Sequence, residues 1–139
     1  MRRAKNLIRQ TRGVEQSLFD AVGGEEFFVK LVDGFYVGIE SDEVLRPMYV
    51  DQDLTQARRH LTLFLQQYWG GPAIYQAERG HPRLRMRHYE FKINPAARDA
   101  WLKHMRAAVD QLELSPLDDA ELWDYLERAA HDMLNTFEE

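Results

Sequence analysis

Between positions 79 and 93 the chain reads RGHPRLRMRHYEFKI. Four arginines, Arg79, Arg83, Arg85 and Arg87, precede His88, which has Met86, Phe91 and Ile93 as apolar neighbours. Imidazole offers a metal one nitrogen donor, and guanidinium grips carboxylate or phosphate through a planar fork. Apolar side chains at alternating positions would cover a flat hydrophobic face. Taken singly, a histidine here is more often a surface or structural residue, and the arginines alone are consistent with a solvated face. Their conjunction suits a ligand that is flat and apolar on one side, anionic on another, and in need of one nitrogen donor.

Other chemistries find little support. The histidines at 60, 81, 88, 104 and 131 form no HxxxH or HExxH pair, which argues against a protein-only zinc or di-iron centre. With no cysteine, thiolate metal sites, thiol nucleophiles and covalent CxxCH haem attachment are excluded. Neither GxGxxG nor GxxxxGK[ST] occurs, and GxSxG is missing, with Ser17, Ser41 and Ser115 in apparent cap or surface contexts. Iron protoporphyrin fits that description: propionates for guanidinium, ring for apolar side chains, iron for imidazole.

Net charge is −5, yet residues 79–93 hold five cations against one carboxylate, so the rest of the chain carries the acidic excess. So local a basic segment is poorly suited to wrapping nucleic acid. No apolar run approaches the length of a membrane span, and absence of cysteine suits a reducing cytoplasm. The 139 residues fit one domain, expected over 15–139. Residues 1–14 read as a basic, flexible tail without the apolar core of a secretory signal.

The elements that must position His88 are helical. Phe28, Leu31, Val32, Phe35, Tyr36 and Ile39 recur at helical spacing and predict a helix over 25–39, preceded by a short one over 14–22 that Gly23-Gly24 ends. Ala57, Leu61, Phe64, Leu65 and Tyr68 predict a second long helix over 53–69, stopped by Gly70-Gly71-Pro72. A third opens at Asn94-Pro95 and runs to about Leu112, with Trp101, Met105 and Ala108 in register. A fourth opens at Ser115-Pro116 with Asp118 at capping-box spacing and carries Leu122, Leu126, Ala129 and Met133. No strand alternation or internal repeat appears, so the fold is expected to be all-α. The stretch 70–93 is read as one long irregular connection holding the basic motif. Tyr36, Tyr49 and Trp101 place polar tips on or beside apolar stripes, where a hydroxyl or indole N–H needs an acceptor, although a backbone carbonyl would serve any one of them.

SLFDAVGG at 17–24, GFY at 34–36, DEVLRPMY at 42–49, QQYWGGP at 66–72, RGHPRLRMRH at 79–88 and RDAWL at 98–102 together resemble the group II truncated haemoglobins of bacteria, from about Ser17 to Asn135. The resemblance implies a truncated globin, a two-over-two helical sandwich around a non-covalent haem b. It makes His88 the proximal iron ligand and puts Tyr36, Tyr49 and Trp101 on the distal side as donors to a ligand oxygen, with Ala57 and Leu61 completing that wall. Phe64, Met86, Phe91, Ile93 and Met105 are expected against the porphyrin. Arg85 and Arg87 are expected on the propionates, ahead of Arg79 and Arg83. Two departures stand out: His60 occupies a haem-edge position where arginine is frequent, and Tyr89-Glu90 follow the proximal histidine.

The function so implied is reversible binding of dioxygen, with CO, NO and other small ligands accepted. An alternative is a haem enzyme with peroxidase-like or nitric-oxide-oxidising activity. Any redox cycle would draw on an unidentified electron donor or reductase. A monomer or a homodimer is expected, in the cytoplasm. A cofactor-free helical interaction module with a basic docking loop is the remaining reading, and it leaves the placement of His88 and the three polar aromatics without a purpose.

Overall fold

The computed structural model describes residues 16–49 and 53–137, so the expected basic tail at 1–14 lies outside the described residues. Among the described residues seven α-helices follow one another: α1 Leu18–Val22, α2 Glu25–Glu40, α3 Thr55–Tyr68, α4 Ile74–Arg79, α5 Leu84–Arg87, α6 Pro95–Asp110 and α7 Pro116–Asp132. A 3-10 turn, Arg46–Met48, lies between α2 and α3. No strand occurs among the described residues, and no described helix is long and apolar enough to cross a membrane.

The long helices form two layered pairs. Helix α2 packs against both α3 and α6, and α6 packs against α7. The stripe read from sequence on α2 is the reason: Phe28, Leu31, Val32, Phe35 and Ile39 are fully buried, and Tyr36 is nearly so. Each such apolar side chain contributes roughly 1.5–3 kcal/mol on removal from water, which makes α2 the central beam of the molecule. Met105, Ala108 and Val109 of α6 and Leu122 and Leu126 of α7 complete the core.

Helix ends follow their capping residues. Ser17, Asn94 and Ser115 accept backbone N–H groups of Asp20, Ala97 and Asp118, which fixes the starts of α1, α6 and α7. The first helix begins at Leu18, later than the 14–22 span suggests. Helix α3 begins at Thr55, two residues later than expected, because Leu54 is left-handed at φ 60°. That conformation costs roughly 1–2 kcal/mol and is offset by complete burial of the Leu54 side chain. Two glycines after α3 allow a close approach. A Cβ on Gly70 would sit 2.6 Å from Ser17 Cβ, and one on Gly71 would sit 2.7 Å from the Phe19 ring. The start of α1 thus seats on the end of α3, and Phe19 N–H donates to the Trp69 carbonyl at 3.0 Å.

The segment 70–93 is not one irregular connection, as periodicity suggests, but holds α4 and α5. Six- and four-residue helices are too short to show a period, and each buries at most one side chain, Tyr75 in α4.

Candidate functional site

Between the helix pairs lies a cavity of about 410 Å³, within the range of small-molecule sites. Every described segment from α2 to α7 contributes to its wall. Tyr36 comes from α2, Tyr49 from the end of the 3-10 turn, and Ala57, His60, Leu61 and Phe64 from α3. Helix α5 and the loop after it supply Leu84, Arg87, His88, Phe91 and Ile93, while Trp101 enters from α6.

His88 caps the C-terminus of α5. Its N–H donates to the Leu84 carbonyl at 3.1 Å, and ring Nδ1 stands 2.7 Å from the same oxygen. A carbonyl can only accept, so the proton sits on Nδ1 and the lone pair is on Nε2. The loop beyond is tied down by Asn135, which follows α7. Its Nδ2 donates to the Phe91 carbonyl at 2.8 Å, its Oδ1 accepts Ile93 N–H at 2.9 Å, and its own N–H donates to the Ile93 carbonyl at 3.0 Å. Nothing in the sequence marks Asn135 as a partner of that loop, since the two lie more than forty residues apart.

Tyr36 and Tyr49 meet edge to face at 5.7 Å between ring centroids, and the Tyr36 hydroxyl donates to that of Tyr49. A backbone carbonyl is therefore not what satisfies Tyr36. Burial, then the neighbouring Tyr49, pushes the Tyr36 phenol far above its ordinary range, and burial also raises Tyr49, so both stay protonated donors at neutral pH. Trp101 reaches the same region through Phe35, 5.3 Å away, and its indole N–H has no protein acceptor among the described residues.

Charge sits at the rim. Arg79 Nη1 donates to His60 Nε2 at 3.1 Å. Desolvation first, and the Arg79 cation second, lower the His60 pKa, so this ring is neutral where an arginine would be charged. Arg87 turns its guanidinium onto the carbonyls of Pro82 at 2.6 Å and Arg79 at 2.8 Å. Both guanidiniums lie 5.9 Å from the Tyr75 ring. Arg98, one turn before Trp101 on α6, lines the cavity too.

Four expected residues are not among those lining the cavity: Arg85, Met86, Met105 and, of the two lesser propionate candidates, Arg83. Helix α5 turns Leu84, Arg87 and His88 inward at i, i+3 and i+4, which leaves Arg85 and Met86 on its outer side, Met86 at 60% exposure. Met105 is fully buried, but one turn beyond Trp101 among core side chains. Residues the sequence did not single out are Arg98, Leu84, Tyr75 and Tyr125. Arg98 had a signal in its spacing of three from Trp101, whereas Tyr75 and Tyr125 had none.

A bacterial-like globin family model matches residues 17–135. The chain is 41% identical over 120 residues to Group 2 truncated hemoglobin YjbI of Bacillus subtilis (strain 168), spanning 86% of this chain and 89% of that protein. The chain belongs to the group II truncated haemoglobins. This truncated haemoglobin superposes with a TM-score of 0.86 on the thermostable hemoglobin of Thermobifida fusca, at 53% identity over 88% of this chain and 100% of the other. It superposes at 0.81 on the truncated oxygen-avid haemoglobin of Bacillus subtilis, at 40% identity over 86% and 100% of the two chains. A globin carries haem, and the lining of the cavity fits one: an imidazole whose Nε2 keeps its lone pair, apolar walls, and guanidinium groups at the rim.

Proposed function

We propose that this truncated haemoglobin holds a non-covalent haem b on His88 and binds dioxygen reversibly, with CO and NO as further ligands, in the cytoplasm. Bound haem supplies an iron with an open position for a diatomic ligand. The 2.7 Å contact of His88 Nδ1 with the Leu84 carbonyl carries the assignment, because it fixes the tautomer and ring orientation that leave Nε2 for the iron. Arg79, Arg87 and Arg98, which line the cavity, take the propionates, and Arg85 does not. Tyr36, Tyr49 and Trp101 donate to a ligand carrying partial negative charge, while Ala57 and Leu61 complete that wall and the small side chain of Ala57 leaves room for ligand entry. The oxygen avidity of the Bacillus subtilis structural relative supports the choice of ligand.

Visible spectra with stoichiometric haem test the site. A sharp Soret band and stable oxygenated bands are expected, both lost or strongly altered in His88→Ala; a free-haem spectrum from the wild type would overturn the assignment. Replacing Trp101 by Phe removes one donor worth about 1.5–3 kcal/mol to a charged acceptor, so oxygen should leave ~10- to 100-fold faster. An unchanged stopped-flow rate would remove Trp101 from the donor set.

A second reading, a peroxidase-like or nitric-oxide-oxidising haem enzyme, draws on one observation. Tyr125 lines the cavity and stacks at 3.8 Å on the half-exposed Tyr68, a route by which oxidising equivalents would reach the surface. Peroxide turnover with a phenolic reductant no faster than that of free haem would count against it.

A further inference from the structure

Among the described residues most cations are spoken for. Arg58, Arg59, Arg98, Arg106 and Arg128 each hold a carboxylate. Arg79 and Arg87 are turned to His60 and to loop carbonyls at the cavity rim. Arg83, Arg85 and Lys92 differ: all three are exposed and none has an ion pair among the described residues, a condition that Lys103 shares but alone on α6, whereas these three lie within ten positions of one another. In the chain they flank two exposed apolar side chains, Met86 at 60% and Tyr89 at 80% exposure, which lie three residues apart with Tyr89 N–H donating to the Met86 carbonyl. An exposed apolar pair flanked by three cations against one carboxylate, Glu90, on a chain whose net charge is −5, is the pattern of a docking face with a net positive charge rather than of a solvated loop.

Its position says what would use it. Tyr89 follows His88 in the chain, and Phe91, partly exposed, has its ring 6.3 Å from that of His88. A partner seated here stands about one side chain away from the nitrogen assigned to the iron. We propose that residues 83–92 form the docking surface for an acidic one-electron carrier protein that reduces this haemoglobin from the His88 side. This rests on the haem assignment above. In the step, the reduced carrier gives up one electron and the ferric centre becomes ferrous, with no bond made or broken and no proton required. Complementary charge steers the encounter, so rate and affinity fall with salt, while Met86 and Tyr89 supply the desolvated contact.

The test uses the haem-loaded full chain and a purified acidic flavodoxin as the probe carrier. Binding is measured by titration calorimetry, and reduction by stopped-flow absorbance, from low salt to roughly 0.2 M, where the Debye length is below about 10 Å. The triple variant Arg83→Glu/Arg85→Glu/Lys92→Glu should bind at least ~10-fold more weakly and lose most of the salt dependence. Lys30→Glu/Lys103→Glu/Arg128→Glu makes the same change in net charge away from the face and should stay within about twofold of wild type. Tyr89→Ser should weaken binding without flattening the salt dependence. Soret and far-ultraviolet circular dichroism spectra report folding and haem in every variant. Wild type that fails to bind flavodoxin, or a folded, haem-loaded triple variant that binds and is reduced like wild type, overturns the docking surface and leaves the haem assignment standing. So does sedimentation showing that the face instead joins two copies of this chain. Loss of the wild-type Soret band is the separate failure of the haem assignment.

Discussion

Asp42 ties together the backbone that carries the cavity's donors. Its Oδ2 accepts from His104 Nε2 at 2.6 Å, and its Oδ1 accepts the N–H groups of Val44 at 2.9 Å and Leu45 at 2.8 Å, where the chain turns toward Tyr49. The hydrogen bond from His104, ahead of those two backbone bonds, holds the Asp42 carboxyl below the ordinary carboxylate range. A depressed folded value means that the ionised form stabilises the fold. That contribution is present above the unfolded value of about 3.9 and is lost as pH falls through the lower folded value. Melting temperature followed from neutral pH into acid should therefore drop less steeply below about pH 4 in Asp42→Asn than in wild type, from a lower neutral plateau. Superimposable slopes would show that Asp42 contributes nothing to acid lability.

At the scale of elements, the same bond joins three segments. His104 lies one turn after Trp101 on α6, Asp42 precedes the turn to Tyr49, and the His104 ring packs on Gly38 of α2, two residues after Tyr36. A Cβ on Gly38 would lie 2.2 Å from His104 Nδ1, so only glycine admits this contact. On the His88 side, Asn135 does for the 88–93 loop what Asp42 does for the turn to Tyr49. Asn135→Ala leaves Ile93 N–H and the Phe91 carbonyl without this partner, at a cost of about 1–3 kcal/mol if they remain shielded from water. Faster haem loss to an apomyoglobin acceptor and quicker amide exchange at Ile93 are expected; wild-type values of both would mean that α5 holds His88 unaided. The starts of α6 and α7 were legible because Asn94 and Ser115 announce them locally, whereas the expected start of α1 at residue 14 passes over its Ser17 cap. The start of α3 was not legible either, since Leu54 is left-handed only because the core takes its side chain.

For the whole molecule, a cavity of about 410 Å³ between two helix pairs is space that the apolar core does not fill. A ligand that binds the folded state alone stabilises it by mass action, by about 2.7 kcal/mol at a free concentration one hundred times its dissociation constant. Urea midpoints should therefore rise with added haem in wild type and rise less in His88→Ala. A midpoint indifferent to haem would contradict the site as assigned.

The sequence by itself determined the family, the all-α class, the four long helices and the clustering of cations before His88. Those properties are written locally, in period, caps and motif order, and need no knowledge of what lies across the core. Tertiary structure decided which side chains share the cavity. Arg85 and Met86 sit next to Arg87 and His88 in the chain, yet a four-residue helix turns them to the outside, and its phase is set by contacts made elsewhere. Arg98, Tyr75, Tyr125 and Asn135 join the site or brace it because distant helices bring them there, and a pairing between distant segments leaves no periodic mark in the sequence. The hydrogen bond from Tyr36 to Tyr49 belongs to the same class, for it exists only once α2 and the following turn have packed.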